Sequence, residues 1–281
     1  MNKIPLLFGA ITLSSTIFIG VGKENADKTF AAATEKGRLT LVANGEDFVR
    51  QGFVSKDGWD VNFDRVYVNF GDAVAYSSAS SFEPQKGDTK NNIDYQSKVD
   101  FLTESTTTDL AEGDEEAEPI VVKQAEVKDG FYNALSWKIA TADTNSAIAG
   151  KTMMLTGQAV KDGETIDFSL SFNRPTEYVC GEFIGDERQG IVAADTPGTV
   201  EATFHFDHIF GDINTPPNDA LNQDAVGFQP IAELASNGTV NLEDSDLAEQ
   251  LSARDYQKLI EAVSGLGHVG EGHCEVIKDE E

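Results

Sequence analysis

The chain has 281 residues, 40% of them hydrophobic, enough to bury one large core or two small ones. Its net charge of −27 and isoelectric point near 4.3 give a surface that repels DNA and anionic lipid, which argues against nucleic-acid binding. So acidic a surface reads either as adaptation to salt and solubility or as a face for a cationic partner.

The first residues, MNKIPLLFGAITLSSTIFIGVG, place one lysine before an apolar run from Ile4 to Val21. This layout predicts a secretory signal peptide over residues 1–22, with Gly20 and Gly22 beside one cleavage point and Ala31-Ala32-Ala33 marking a later one. A membrane anchor is the competing reading, because the run is near the lower length limit for spanning. No cysteine follows the run, which argues against a lipoprotein, and nothing later in the chain is apolar for long enough to span. The expected mature protein is exported, periplasmic or extracellular, with no membrane span after signal cleavage.

From Arg38 onward the hydrophobic period is close to two, the mark of strands. RLTLVAN (38–44) alternates, and so does WDVNFDRVYVNF (59–70), where the apolar residues switch faces around Arg65–Val66. That switch predicts a bulge or a crossing between sheets. The stretch TESTTTDLAEGDEEAE (103–118) is acidic and nearly free of apolar residues, and it reads as a mobile surface loop. Further strands are expected in FYNALSWKIATA (131–142), TMMLTGQAV (152–160) and TIDFSLSF (165–172). The last two are joined by Asp162-Gly163, a hairpin signal because both turn residues favour positive φ. GTVEATFHFDHIF (198–210) closes the series. Many short strands separated by turn residues predict a mainly β fold, an antiparallel β-sandwich or barrel, with its body over residues 37–214.

After Pro216-Pro217 the pattern turns helical. PIAELAS (230–236) and SARDYQKLIEAVSG (252–265) read as helices, the second capped by Ser252 and Asp255. Residues 215–281 are therefore expected to form a small helical appendage and a Gly/His tail packed on the body. The two cysteines, Cys180 and Cys274, permit one disulfide that would tie this tail down in an oxidising compartment. In reduced form Cys274, next to His273, would instead be a soft metal ligand.

Three stretches form a set: ANGEDFVRQGF (43–53) with the following KDGW (56–59), FHFDHIFGD (204–212), and GLGHVGEGHC (265–274). The set resembles a family of uncharacterised exported bacterial proteins and lipoproteins. The resemblance implies a sandwich-like body followed by a His-containing strand, a short helical unit and a Gly-His-rich tail, and it brings no activity with it. Many relatives carry a calcium-type loop between the His strand and the tail. Here the corresponding ELASNGTVNLED (233–244) keeps Gly238 at the obligatory glycine, with Glu233, Asn237, Asn241 and Asp244 at ligand positions. Ala235 replaces a ligand and Asp244 is short for two-oxygen coordination, so this is a degenerate calcium loop and Ca2+ is not expected. The resemblance also raises Glu46 and Asp47 as outlying acidic candidates.

All four histidines lie behind residue 204. In a regular strand Phe204, Phe206, His208 and Phe210 share one face, and His205 and Asp207 share the other with Glu201 and Thr203. That geometry sends His208 inward and His205 outward, so one ion reaches both only if the strand ends between them. In GHVGEGH the glycines free the backbone to bring His268 and His273 to one point, and their spacing is common among zinc ligands. His205, His208, His268 and His273, with Asp207 and Glu271 as acidic candidates, are the expected metal site. Outside a cell such a set suits Zn2+ first, then Cu2+ or Fe2+, and binding weakens as pH falls through the ordinary histidine range. The competing reading makes His208 a core histidine and the others surface and loop residues.

The function these residues predict is a non-enzymatic, exported metal-binding protein of the cell envelope, serving metal acquisition, buffering or sensing. The alternative is a structural or adhesive acidic module that engages an envelope protein partner without metal. No HExxH and no recognisable nucleophile motif is present, although an all-histidine site with an open position could still activate water.

Overall fold

The computed structural model describes residues 36–181, 189–270 and 272–277, so the expected signal segment lies outside them. In chain order the strands are β1 (Lys36–Asn44), β2 (Phe53–Val54), β3 (Asp60–Ser78), β4 (Tyr95–Asp100), β5 (Thr106–Asp109), β6 (Ile120–Lys128), β7 (Gly130–Phe131) and β8 (Ala134–Ile139). They continue with β9 (Met153–Lys161), β10 (Glu164–Phe172), β11 (Thr176–Cys180), β12 (Ile191–Val192), β13 (Gly198–Phe204) and β14 (Thr239–Glu243). The last three are β15 (Gly267–Val269), β16 (Gly272–His273) and β17 (Glu275–Ile277). The helices are α1 (Glu46–Gln51), α2 (Asp207–Phe210), α3 (Ala220–Asp224), α4 (Gln229–Ala232), α5 (Asp244–Gln250) and α6 (Ala253–Ser264). The fold is mainly β, as its alternating pattern predicts.

Two sheets face each other. One runs β16-β15-β13-β1-β6; the other runs β14-β10-β9-β3-β8-β11-β17, with β2, β4 and β5 also paired to β3. Pairing is antiparallel except for β1 with β13 and β10 with β14, which are parallel. Leu39, Leu41, Val200, Ala202 and Phe204 from the smaller sheet enter one core with Val66, Phe70, Trp137, Leu155 and Leu170 from the larger. The Phe204 ring lies 5.1 Å from Trp137 and 5.9 Å from Phe70, so the end of β13 is packed against the larger sheet. An aromatic ring buried in this way contributes area and edge-to-face contacts together.

β3 is the spine. Against β9 its register slips between Phe63 and Arg65, where the apolar residues change face. The bulge is held by Asp109, whose carboxylate accepts the Val66 amide at 3.0 Å. Gly157 lies opposite, and a Cβ there would meet the Asn62 carbonyl oxygen at 2.0 Å, so only glycine fits this crossing. The β9–β10 hairpin turns at Asp162 and Gly163 with φ of 50° and 85°.

The acidic stretch 103–118 is more ordered than its composition predicts. β5 pairs with β3, Leu110 is buried, and Arg50 donates to the carbonyls of Glu112, Ala117 and Glu118. One arginine fork thus satisfies a turn that has almost no core of its own.

The segment after Pro216-Pro217 is not helical alone. It adds β14 and β17 to the larger sheet and β15 and β16 to the smaller. Thr34–Glu281 accordingly groups as one unit. The helices are docked by the KDGW loop: Asp57 accepts the amides of Phe228 and Gln229, and Trp59 Nε1 donates to Gln229. Helix α6 begins at Ser252, whose hydroxyl accepts the Asp255 amide as the capping pattern predicts. Among the described residues no helix is long and apolar enough to cross a membrane.

Cys180 and Cys274 are joined across a sequence separation of 94. Cys274 falls where the tail leaves the smaller sheet at β16 and enters the larger at β17. Replacing both cysteines by serine is expected to cost roughly 2–5 kcal/mol, the range for a native disulfide closing a long loop. A urea midpoint within error of the unmodified protein would contradict this.

Candidate metal centre

The strand that carries the first histidine pair ends earlier than its alternation predicts. β13 stops at Phe204, and Phe206 already has φ −73° and ψ −16°. The helical turn of α2 follows, with the His208 amide donating to the His205 carbonyl (3.2 Å) and the Ile209 amide to that of Phe206 (3.0 Å). Residues three apart in such a turn lie on one face, so His205 and His208 point the same way. The expectation that a strand sends His205 outward and His208 inward therefore does not hold: both are partly buried on one face. The His205 side chain is only 13% exposed, and His208 lines a surface cleft.

The reason is the apolar spacing. Phe206, Ile209 and Phe210, at i, i+3 and i+4, are all buried and fill the space above Phe63 and Phe228. A continued strand would have left Ile209 on the water side. Gly211, with φ 68°, ends the turn where a Cβ would meet Asn222 Oδ1 at 2.4 Å.

The tail folds back to meet this turn. Thr203 pairs with His268 and Phe204 with Gly267, and His268 is 2% exposed. Gly267 permits the approach, because a Cβ there would strike the Tyr178 ring at 2.5 Å. The ring centroids of His205 and His268 are 4.1 Å apart at 22°, those of His208 and His268 5.1 Å, and those of His205 and His208 5.7 Å. Three imidazoles from two segments some sixty residues apart thus form one cluster. His273 stands opposite His268 in the β15–β16 pairing; its side chain, and all of Glu271, lie outside the described residues.

His205, Asp207 and His208 each offer one ligand atom, and the three atoms lie within 4.8 Å of one another. Among the described residues no other trio of His, Cys, Asp or Glu is brought together in this way. That limit compares with roughly 3.3 Å between ligands of a tetrahedral Zn2+ site with bonds of about 2.0 Å. Asp207 Oδ1 and His205 Nε2 are both buried without a hydrogen-bond partner among protein groups, an arrangement that costs free energy unless something else binds there. The His268 ring packs face-on against His205 and edge-on to His208, which places it to hold both rings in orientation.

A buried polar chain lies below. Glu201, which alternation assigns to the water face, is 9% exposed, and Thr203 is fully buried, because β15 and β16 extend the sheet beyond β13. Glu201 Oε1 accepts from Asn44 Nδ2 (3.1 Å) and from the Thr203 hydroxyl (2.8 Å), and Thr203 Oγ1 accepts the Gly270 amide (2.9 Å). Asn44 Oδ1 in turn accepts the amide of Glu46, whose Oε1 lies 3.8 Å from His205 Nε2. Asp47 is exposed. Composition gives no sign of this network; the signal is the clustering of polar residues at the ends of β1 and β13.

The cleft beside His208 has a volume of about 440 Å3 and is lined by His208, Leu221, Asp224, Lys258, Glu261 and Ala262. Lys258, from its lining, and Lys56 both donate to the Ala225 carbonyl. Burial, and then the Lys258 charge, hold the Lys56 ammonium below the ordinary lysine range.

The calcium-loop template does not assemble. Glu233 ends α4, Asn237 and Gly238 form a tight turn with φ 54° and 75°, and Asn241 lies exposed in β14. Asp244 is committed to Arg174 (3.0 Å) and to the Tyr256 hydroxyl (3.0 Å). The glycine position is thus conformational, serving the turn into a strand that pairs with β10.

Tyr178 supports the Gly267 strand from beneath and donates to the Ser264 carbonyl at 3.0 Å. Burial pushes its phenol far above the ordinary tyrosine range. Because the folded form keeps a proton that the unfolded chain loses near pH 10, stability is intact below about pH 10 and declines as pH rises further. Tyr178→Phe is expected to flatten that alkaline decline, read from urea midpoints between about pH 9 and 11; an unchanged slope would contradict it.

Comparison with protein-family models, with curated proteins and with solved structures finds no match to this chain.

Proposed function

We propose that this is an exported, non-enzymatic protein that binds a divalent transition metal, Zn2+ first, at His205, Asp207 and His208. On this reading it acquires, buffers or senses metal at the cell envelope. The observation that carries the reading is the convergence of two imidazoles and one carboxylate, backed by the His268 ring. Two imidazole nitrogens and a carboxylate oxygen form a ligand set suited to Zn2+, with Fe2+ or Cu2+ behind it.

Three further features support it. The cleft beside His208 gives an ion a route to and from solvent, as exchange requires and a purely structural ion does not. The net charge of −27 attracts cations to the surface. The Cys180–Cys274 bond fits an oxidising compartment outside the cytoplasm.

Metal content of protein purified without a histidine tag tests the proposal. About one equivalent of Zn2+ is expected, taken up or restored on titration, and His205→Ala or His208→Ala should weaken binding at least ~10-fold. Less than about a tenth of an equivalent of Zn, Cu or Fe, with no uptake on titration, would sink the reading.

A further inference from the structure

We infer that Glu46 is a ligand of the same centre, a second carboxylate that joins His205, Asp207 and His208 from the β1 side. The inference rests on the metal reading above and extends it to a residue 159 positions earlier in the chain than His205.

The first ground is conformational. Glu46 has φ +60°, in the left-handed region that glycine, asparagine and aspartate adopt most readily. Glycine stands one residue earlier, at Gly45, where φ is an ordinary −104°. The chain therefore keeps a long acidic side chain at the strained position and glycine beside it. Strain of this kind persists where the surroundings fix it, and it collects at binding sites.

The second ground is placement. The Asn44 side chain holds the Glu46 amide at 3.0 Å and ties it to Glu201 and Thr203, the network that also anchors the tail turn at Gly270. From that position the carboxylate reaches 3.8 Å from His205 Nε2, a buried nitrogen with no protein hydrogen-bond partner. Asp207, whose Oδ1 is also buried and without such a partner, belongs to the group of three whose ligand atoms lie within 4.8 Å of one another, and Glu46 approaches that group from its His205 side.

The third ground is charge. Two neutral imidazoles and Asp207 leave a divalent ion with one uncompensated positive charge in a largely buried site. A second carboxylate makes the assembly neutral, the condition under which burying an ion is least costly. The ordinary alternative is an acidic residue favouring the start of a helix. Helix α1 has only six residues, and Asp47 serves that purpose without strain.

The test compares wild type, Glu46→Gln and Glu46→Gly by Zn2+ calorimetry, Co2+ absorption and thermal melting of the metal-free proteins. Glu46→Gln, which keeps shape and backbone, is expected to weaken Zn2+ binding about 10–100-fold and to alter the Co2+ d–d bands. Glu46→Gly is expected to weaken binding equally while raising the metal-free Tm by about 2–4 °C, because it relieves the positive φ. A residue with a merely structural role would not move the two readouts in opposite directions. Wild type binding one equivalent with Glu46→Gln unchanged in affinity and Co2+ spectrum overturns Glu46 as a ligand and leaves the His205–Asp207–His208 site standing. Wild type binding no metal overturns both.

Discussion

Between Phe204 and Phe206 the backbone leaves the extended region for the right-handed helical one, and the arrangement of the histidines follows from that change. An extended chain shows each face every second residue, so two side chains three apart must part. One helical turn brings the same two together. The turn is held by hydrophobic burial rather than by the histidines. Phe206, Ile209 and Phe210 fill the end of the core, and Gly211 lets the chain leave without a clash. The polar residues sit where the apolar ones put them.

The tail depends on that same end of β13. By stopping at Phe204, β13 leaves its outer edge free for β15, and the Thr203–His268 pairing carries the third imidazole into place. Two constraints keep it there. Tyr178 presses on Gly267 from the larger sheet, and the disulfide fixes the chain six residues beyond His268. Glu201 and Thr203, drawn inside by this added strand, become the floor of the site instead of its solvent edge.

Much of this was legible in advance. Alternation marked most of the strands of the body, the face switch marked the β3 bulge, Asp162-Gly163 marked the hairpin, and the cysteine pair marked the clasp. The helical turn at Asp207–Phe210 is not legible in the sequence, because Phe204, Phe206 and Phe210 fit a strand as well as a turn. Only Ile209 broke the tie, and one residue is a weak signal against six that alternate. The small tail strands were hidden for another reason. Gly267–Val269 and Gly272–His273 are too short to show a period, and pairing with β13 alone makes them strands. Glu46 could be raised only through resemblance, since no local pattern tells an acidic residue at positive φ from one on the surface.

The tail supplies strands to both sheets, and β1 pairs in parallel with β13 across most of the body, Leu39 against Gly198. Such pairings close very long loops, and folds dominated by them form slowly. Neither sheet is finished until residues 267–277 have emerged from the ribosome and docked. The body must therefore wait with unpaired edges on β11 and β13, regions exposed to aggregation until the last segment arrives. The histidine cluster is thus completed only when this sequence-distant segment docks against β13.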